Sequence, residues 1–361
     1  MSASGVPSHA PEALLRSPQE TTALDWPRLA EHLARQGHAL DLGAVPRQFR
    51  GGLGNLNFLV TMDGRACVLR RPPFGAVPIG ANDMAREHRV LSRLWKAWPL
   101  APRSLYYTSD VAVIGAHFLI MEYCPGLVIG AQLPAGVDPL AAGPTLSSML
   151  VSVLASLHAV DPAEVGLDDF GKPAGFLVRT TSGWTRRGEA VAGERDRRLI
   201  GELAGWLSGC VPPEQPATLL HSDFKLDNVV LDPQTLGVRA VLDWDMSTRG
   251  DPLYDLATLL SYWAEPSDPE TMRRLRQMPT ATAGFHSRAQ AMATYASLTG
   301  RDLSNFHFYR VLALFKLGIV FLQLHARFRS GATSDAQFAD FGDVGHGLLE
   351  FAHAVMRGTA D

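Results

Sequence analysis

The sequence is short of cysteine, short of lysine, and close to neutral. Cys67, Cys124 and Cys210 are its only cysteines, widely spaced and with no CxxC pair. That spacing argues against a disulfide framework and a zinc knuckle and suits a reducing, cytoplasmic setting. Lysine occurs only at Lys96, Lys172, Lys225 and Lys316. The formal net charge of -3 gives no overall field to attract nucleic acid or an anionic membrane, so small molecules are the expected partners. The start of the chain lacks a basic stretch followed by an apolar run and a small-residue cleavage site, so it does not read as a signal peptide. The most apolar run, residues 311–324, is too short to span a bilayer and contains Lys316, which predicts a buried core helix instead. There is no internal repeat and no low-complexity tract.

What is present is the composition of an ordinary globular protein, 46% hydrophobic and 19% charged, in a chain of 361 residues that exceeds the usual single domain. Residues 1–20 are expected to be a flexible lead-in. Asp25 followed by WPRLAEHLARQG then predicts a capped helix, with Pro27 in its first turn and Gly37 just past its end. NLNFLVTMDGRACVLRR reads as two strands joined at Asp63-Gly64, a dipeptide that favours a tight hairpin. A helix over about 82–95 follows, then strands at 104–110 and 117–123, closed by Cys124-Pro125-Gly126. Beyond Gly126 the pattern is mainly helical, with periodic apolar faces in LSSMLVSVLASLHAV, RRLIGELAGWL, LYDLATLLSYW and FYRVLALFKLGIVFLQLHARF. An α+β chain of two lobes is predicted, a small β-rich one over 21–124 and a larger mainly helical one over 125–361, with a hinge near residues 123–126 and a cleft there.

The chemistry concentrates in HSDFKLDN and VLDWD. Asp223 and Asn228 stand five residues apart, and Asp243 follows at the end of an apolar strand. Phosphoryl transfer needs a carboxylate to orient the attacking hydroxyl and hard oxygen ligands for magnesium, and the Asp-x-x-x-x-Asn spacing with a downstream Asp is that of a kinase catalytic loop and metal site. Asp223 is the candidate base, with Asn228 and Asp243 as metal ligands. Taken singly each could be a turn residue or a loop cap.

The stretch HSDFKLDNVVLDPQTLGVRAVLDWDMSTRGDPLYDLA resembles the signature of the aminoglycoside phosphotransferase and choline kinase-like family, a branch of the protein-kinase-like fold. It is most similar to kinase-like domains associated with acyl-CoA dehydrogenases. The resemblance covers about residues 45–330 and implies ATP and Mg2+ as cofactors and a small-molecule hydroxyl as acceptor. It implies a phosphate loop in RGGLGNLNF, where Gly51, Gly52 and Gly54 let backbone N–H groups approach phosphate; a Gly-rich hairpin turn would look the same. It puts Arg70 where a lysine usually sits, keeping the charge and changing its geometry. Arg71 could share that role. Glu87 on the next helix is implied as the partner holding Arg70, against the alternative of a solvated carboxylate near Arg86 or Arg89. Backbone groups of Glu122, Tyr123 and Cys124 are implied as the adenine contacts, with Met121 behind them.

His221 would brace the catalytic loop, and Lys225 could neutralise the transferring phosphate or be a solvated loop lysine. Asp251 and Asp255 read as caps of the following helix; Asp245 stays outside the core set. Trp184, Arg186 and Arg187 lie in an acceptor-binding region of the family, and Trp263 and Lys316 could face the same pocket or be a core residue and a snorkelling lysine. Lys172, Arg179, Arg186 and Arg187 against the lone Glu189 tilt the acceptor toward an acidic or phosphorylated compound, such as a CoA-linked hydroxy acid. The leading expectation is therefore an ATP- and magnesium-dependent small-molecule kinase. A pseudokinase that binds nucleotide without transfer is the alternative, supported by Arg70, and a magnesium-dependent hydrolase is a third reading.

Overall fold

A computed structural model describes residues 12–50, 54–75, 82–275, 277–331 and 336–360, apart from the side chains of Ala13 and Gln337. Along the chain run α1 (Trp26–Arg35), β1 (Arg47–Gln48), β2 (Leu56–Met62), β3 (Arg65–Arg71), α2 (Met84–Leu91), β4 (Ser104–Thr108), β5 (Phe118–Glu122) and β6 (Leu127–Val128). There follow α3 (Pro139–His158), α4 (Phe176–Val191), α5 (Glu194–Gly209), β7 (Thr218–Leu220), β8 (Val229–Leu231), β9 (Val238–Val241) and β10 (Thr248–Gly250). The chain ends in α6 (Pro252–Tyr262), α7 (Glu270–Arg274), α8 (Arg288–Thr299), α9 (Phe306–Arg329) and α10 (Phe341–Met356). It divides into two compact units, Met1–Leu127 with Ala163–Leu167 and Asn228–Ser247, and the remainder.

The first unit is built on an antiparallel sheet of order β1-β2-β3-β5-β4. Asp63 and Gly64 both take positive φ, 52° and 72°, the backbone of a two-residue turn whose twist matches the strands it joins. Asp25 accepts the Arg28 N–H at 3.0 Å and starts α1, which lays Leu29 and Leu33 on Phe58, Val60, Leu69, Phe118 and Ile120 to form the core. Asp83 accepts the Arg86 N–H at 3.0 Å and starts α2. That helix is shorter than the 82–95 span predicted, giving way to a tighter turn at Leu94–Lys96.

Two expectations about domain organisation need changing. From Glu12 on, the lead-in is fastened to the sheet: Glu12 takes both amino groups of Arg47 at 3.1 and 2.9 Å, and the Arg16 N–H donates to the Gln48 carbonyl at 2.8 Å. A break after Cys124 also misses that the β8–β9 hairpin belongs to the first unit. The Val241 N–H donates to the Leu100 carbonyl at 2.7 Å, and Trp244 packs edge-on against Trp98. Gly126 passes so close to β8 that a Cβ there would lie 2.4 Å from Val230 Cγ1 and 2.5 Å from the Leu231 carbonyl oxygen.

In the second unit α9 forms the axis, with Val311, Leu312, Leu314 and Phe315 fully buried. It runs 24 residues, so by length and composition α9, like α3, could cross a membrane. This corrects the expectation that the apolar run is too short. Most of its apolar window is nonetheless buried inside the protein, in keeping with the predicted core helix. Gly318 of α9 and Gly345 of α10 meet, a Cβ on Gly345 falling 2.9 Å from the Gly318 carbonyl oxygen.

Gly126→Ala would force β8 to move and should cost about 1–3 kcal/mol, as overpacking does. Chemical denaturation of the variant measures it, and a midpoint equal to wild type would show that the close approach is not a constraint.

Candidate functional site

The candidate residues fall into two groups, one in each unit. In the first unit Arg70 is the next-to-last residue of β3, and its side chain is 7% exposed. Its Nε lies 2.9 Å from Glu87 on α2, which is fully buried. The same guanidinium forms a short ion pair with Asp243 and lies 3.7 Å from Asp245. Glu87 also accepts the Trp244 N–H at 3.3 Å, and Asn55 donates to Asp245 at 3.1 Å. The Leu242 N–H donates to the Asn228 carbonyl at 2.8 Å, which brings Asn228 beside the turn that carries Asp243. Asp243 itself has φ 69°, a left-handed conformation that Asp tolerates better than most residues.

Burial works against the charge on Arg70, but the carboxylates of Asp243, Glu87 and Asp245 outweigh it and hold the guanidinium firmly protonated. Burial pushes the Glu87 carboxyl up to about 8, with Arg70 pulling it down and Asp245 and Asp243 adding to the rise. Around the Arg70 guanidinium the acids Glu87, Asp243 and Asp245 outnumber the base. Among the described residues no group of three or more His, Cys, Asp or Glu is placed to hold a metal ion, so the hard oxygen donors on offer to magnesium are the two the sequence points to, Asn228 and Asp243.

In the second unit the carboxylate of Asp223 is held from both sides. Lys225 Nζ donates to Oδ2 at 2.6 Å and the Tyr262 hydroxyl donates to Oδ1 at 2.8 Å. Burial alone would raise the Asp223 carboxyl; Lys225, Lys316 and these hydrogen bonds overcome it and hold it below the usual range. The loop is braced from within: the His221 and Ser222 N–H groups each donate at 2.7 Å to the buried Asp255, and Lys316 donates to the Ser222 carbonyl at 2.6 Å. His158 stands 3.3 Å from Asp255 and 2.6 Å from the Tyr295 hydroxyl.

Several expectations change in consequence. Asp251 caps α6, accepting the Leu253 N–H at 3.0 Å, but Asp255 turns inward to the backbone of His221 and Ser222. Arg71 points away from Arg70, donating to the Ile114 carbonyl at 2.9 Å with its guanidinium over Phe74. Trp263 is a core residue whose Nε1 donates to the His286 carbonyl at 2.9 Å, and Lys316 is buried, not snorkelling. Asp245 joins the Arg70 group after all. Gly51 and Gly52 lie outside the described residues; Gly54 is described, its carbonyl accepting from Asn82 Nδ2 at 2.8 Å. The Glu122 N–H is taken by the Arg103 carbonyl at 3.0 Å, so an adenine contact there would have to use its carbonyl. Tyr123 packs on Phe49, and burial raises the Cys124 thiol to about 11. Trp184 is buried beneath the Arg187 guanidinium.

Residues 45–290 match the phosphotransferase enzyme family, and the chain belongs to it. Among curated proteins it is 29% identical to acyl-CoA dehydrogenase family member 10 of Mus musculus, over 96% of this chain and 33% of that protein. It is 32% identical to family member 11 of Gallus gallus, over 84% of this chain and 39% of that one. The chain thus spans a third to two fifths of the length of these relatives. A Ralstonia eutropha protein provisionally assigned as an aminoglycoside phosphotransferase superposes with TM-score 0.75 at 26% identity, covering 93% of this chain and 99% of that one. Aminoglycoside phosphotransferase APH(4)-Ia, in a ternary complex with AMP-PNP and hygromycin B, gives TM-score 0.58 at 18% identity over 92% and 99% of the two chains. The fold is the α+β, protein-kinase-like fold of these phosphotransferases.

Arg70→Met would leave Glu87 buried without its cation and should destabilise the protein by about 3–5 kcal/mol, read by urea denaturation. A loss under 1 kcal/mol would show that the pair is not what holds α2 to β3. Burial would raise the Asp255 carboxyl, but the His158 ring and its other partners outweigh it and hold the group low. Its contribution is therefore complete above the unfolded value, about pH 4, and is lost as pH falls from there through the folded value. Asp255→Asn should flatten that acid limb of the stability curve as well as lower the plateau; an unchanged limb would assign the pH dependence elsewhere.

Proposed function

We propose that this chain transfers the γ-phosphoryl group of ATP, with magnesium, to a hydroxyl of a small-molecule acceptor. The observation that carries the reading is the buried Arg70–Glu87 pair with Asp243 and Asp245 against it, a cation fixed among acids as a phosphate-binding group requires. Family membership and the phosphotransferase neighbours support the same class of reaction.

Arg70 would hold the phosphates through charge-assisted N–H donors and keep that charge at any working pH. Magnesium, held by Asn228 and Asp243, would neutralise charge on the phosphates. Asp223 would accept a hydrogen bond from the acceptor hydroxyl and aim its oxygen at the γ-phosphorus. As the new P–O bond forms and the bond to the bridging oxygen of ADP breaks, the hydroxyl proton passes to Asp223 and then to solvent. A carboxylate held at low pKa suits that role, since a loose transition state demands the proton late.

The exposed Arg186 and Arg187 of α4 favour an anionic acceptor. The acyl-CoA dehydrogenase names of the relatives make a hydroxyacyl-CoA the first compound to try. A second reading, nucleotide binding without transfer, is favoured by one observation: the Arg70 guanidinium already occupies the Asp243 carboxylate.

Magnesium with ATP should raise the melting temperature, by the equivalent of about 2.7 kcal/mol at a hundredfold excess over Kd, and the shift should vanish in Asp243→Ala. With hydroxyacyl-CoA substrates, wild type should form ADP and phosphorylated acceptor while Asp223→Ala forms neither. Binding with turnover no higher than in Asp223→Ala would leave the second reading; no stabilisation by any nucleoside triphosphate would sink both.

A further inference from the structure

Tyr262 is the last residue of α6, and the chain leaving it is pinned by two buried arginines. Arg310 of α9 donates to the Leu260 carbonyl at 2.8 Å. Arg288 of α8 donates to the Trp263 carbonyl at 3.0 Å and pairs with Asp268 through both amino groups, at 2.6 and 2.8 Å. Trp263 is anchored separately to the His286 carbonyl. Cations at a helix C-terminus satisfy carbonyls that have no partner within the helix, but two arginines buried for this purpose is a heavy outlay in desolvation. What the arrangement holds still is the phenol that follows Leu260 and Ser261.

That phenol is 8% exposed and donates to Oδ1 of Asp223 at 2.8 Å, while Lys225 takes Oδ2 at 2.6 Å. A carboxylate on a single free χ2 turns readily, and its torsion is broad. A donor on each oxygen, one from α6 and one from the loop itself, fixes the plane of the group. Lys225 alone cannot do this, because it sits two residues away on the same loop and moves with it; its Nζ lies 5.3 Å from the Tyr262 ring centroid, so the phenol also limits where the lysine goes.

We propose that Tyr262 is a positioning residue for Asp223, fixing the plane of its carboxylate toward the acceptor hydroxyl, with Arg288 and Arg310 holding Tyr262 in place. The inference rests on the role given above to Asp223. Burial, followed by the neighbouring Asp223 charge, holds the Tyr262 hydroxyl well above its ordinary range, so it remains a donor throughout the working pH range. As the hydrogen bond is made to a charged group, losing it should lower turnover roughly ten- to hundredfold.

The test uses the full chain and magnesium-ATP with water as acceptor, so no acceptor need be known, and follows single-turnover release of labelled phosphate. Tyr262→Phe should lower the rate tenfold or more at an unchanged half-saturating ATP concentration and nearly unchanged melting temperature, and should cause no further loss when added to Asp223→Asn. A wild-type rate in Tyr262→Phe, or an equal loss in the Asp223→Asn background, overturns the proposal, since a role in packing alone would not depend on the carboxylate. Crystal structures of wild type and Tyr262→Phe give a readout independent of turnover. The Asp223 carboxylate should leave its wild-type orientation in the variant; an unmoved carboxylate with the Lys225 contact intact overturns the proposal. Absence of phosphate release by wild type would instead count against the function proposed for Asp223, and the crystal structures would still decide the positioning claim.

Discussion

One guanidinium buried among three carboxylates is the constraint around which the first unit is arranged. Arg70 arrives on β3, Glu87 on α2, and Asp243 and Asp245 on the turn after the β8–β9 hairpin, so a single charged group ties a strand, a helix and a segment more than 150 residues further along. A buried ion pair of this kind is weak evidence for stability, because desolvation offsets much of the attraction. Its value lies in fixing where charge sits. Burial drives Glu87 upward and the neighbouring acids add to it, while those same acids outweigh burial at Arg70 and hold it more firmly in its charged form.

The second unit solves a related problem with hydrogen bonds. Ser222 takes a left-handed backbone, φ 67°, costing on the order of 1 kcal/mol for a residue with a Cβ. Asp255 and Lys316 secure both sides of that residue, one at its N–H and one at its carbonyl. The next residue is Asp223, so the strain and its compensation bear directly on where the candidate base points.

Much of this was legible in the sequence. The order and spacing of Asp223, Asn228 and Asp243, the Asp63-Gly64 turn and the Arg70–Glu87 pair could be named because each depends on local spacing or on a resemblance over a continuous stretch. Tyr262 could not, since it sits within an apolar helical run where a phenol reads as packing, and only the path of α6 brings it to Asp223. Asp255 reads as a cap because it lies in the first turn of α6; which face it presents depends on what α6 packs against. Asp245 reads as an exposed loop acid, and only the fold brings Asn55 and Arg70 beside it. Four helices, α4, α7, α8 and α10, fall outside the periodic segments read from the sequence; α8 has no apolar stripe and α10 carries three glycines, residues that weaken a helix unless another passes close, as α9 does.

In the proposed reaction the role of Arg70 depends on guanidinium geometry and not on positive charge alone. Isothermal titration of magnesium-ATP into wild type and Arg70→Lys tests this most directly. A lysine cannot span Glu87, Asp243 and Asp245 at once, so the variant should bind at least tenfold more weakly. Equal or tighter binding by the lysine variant would contradict the claim.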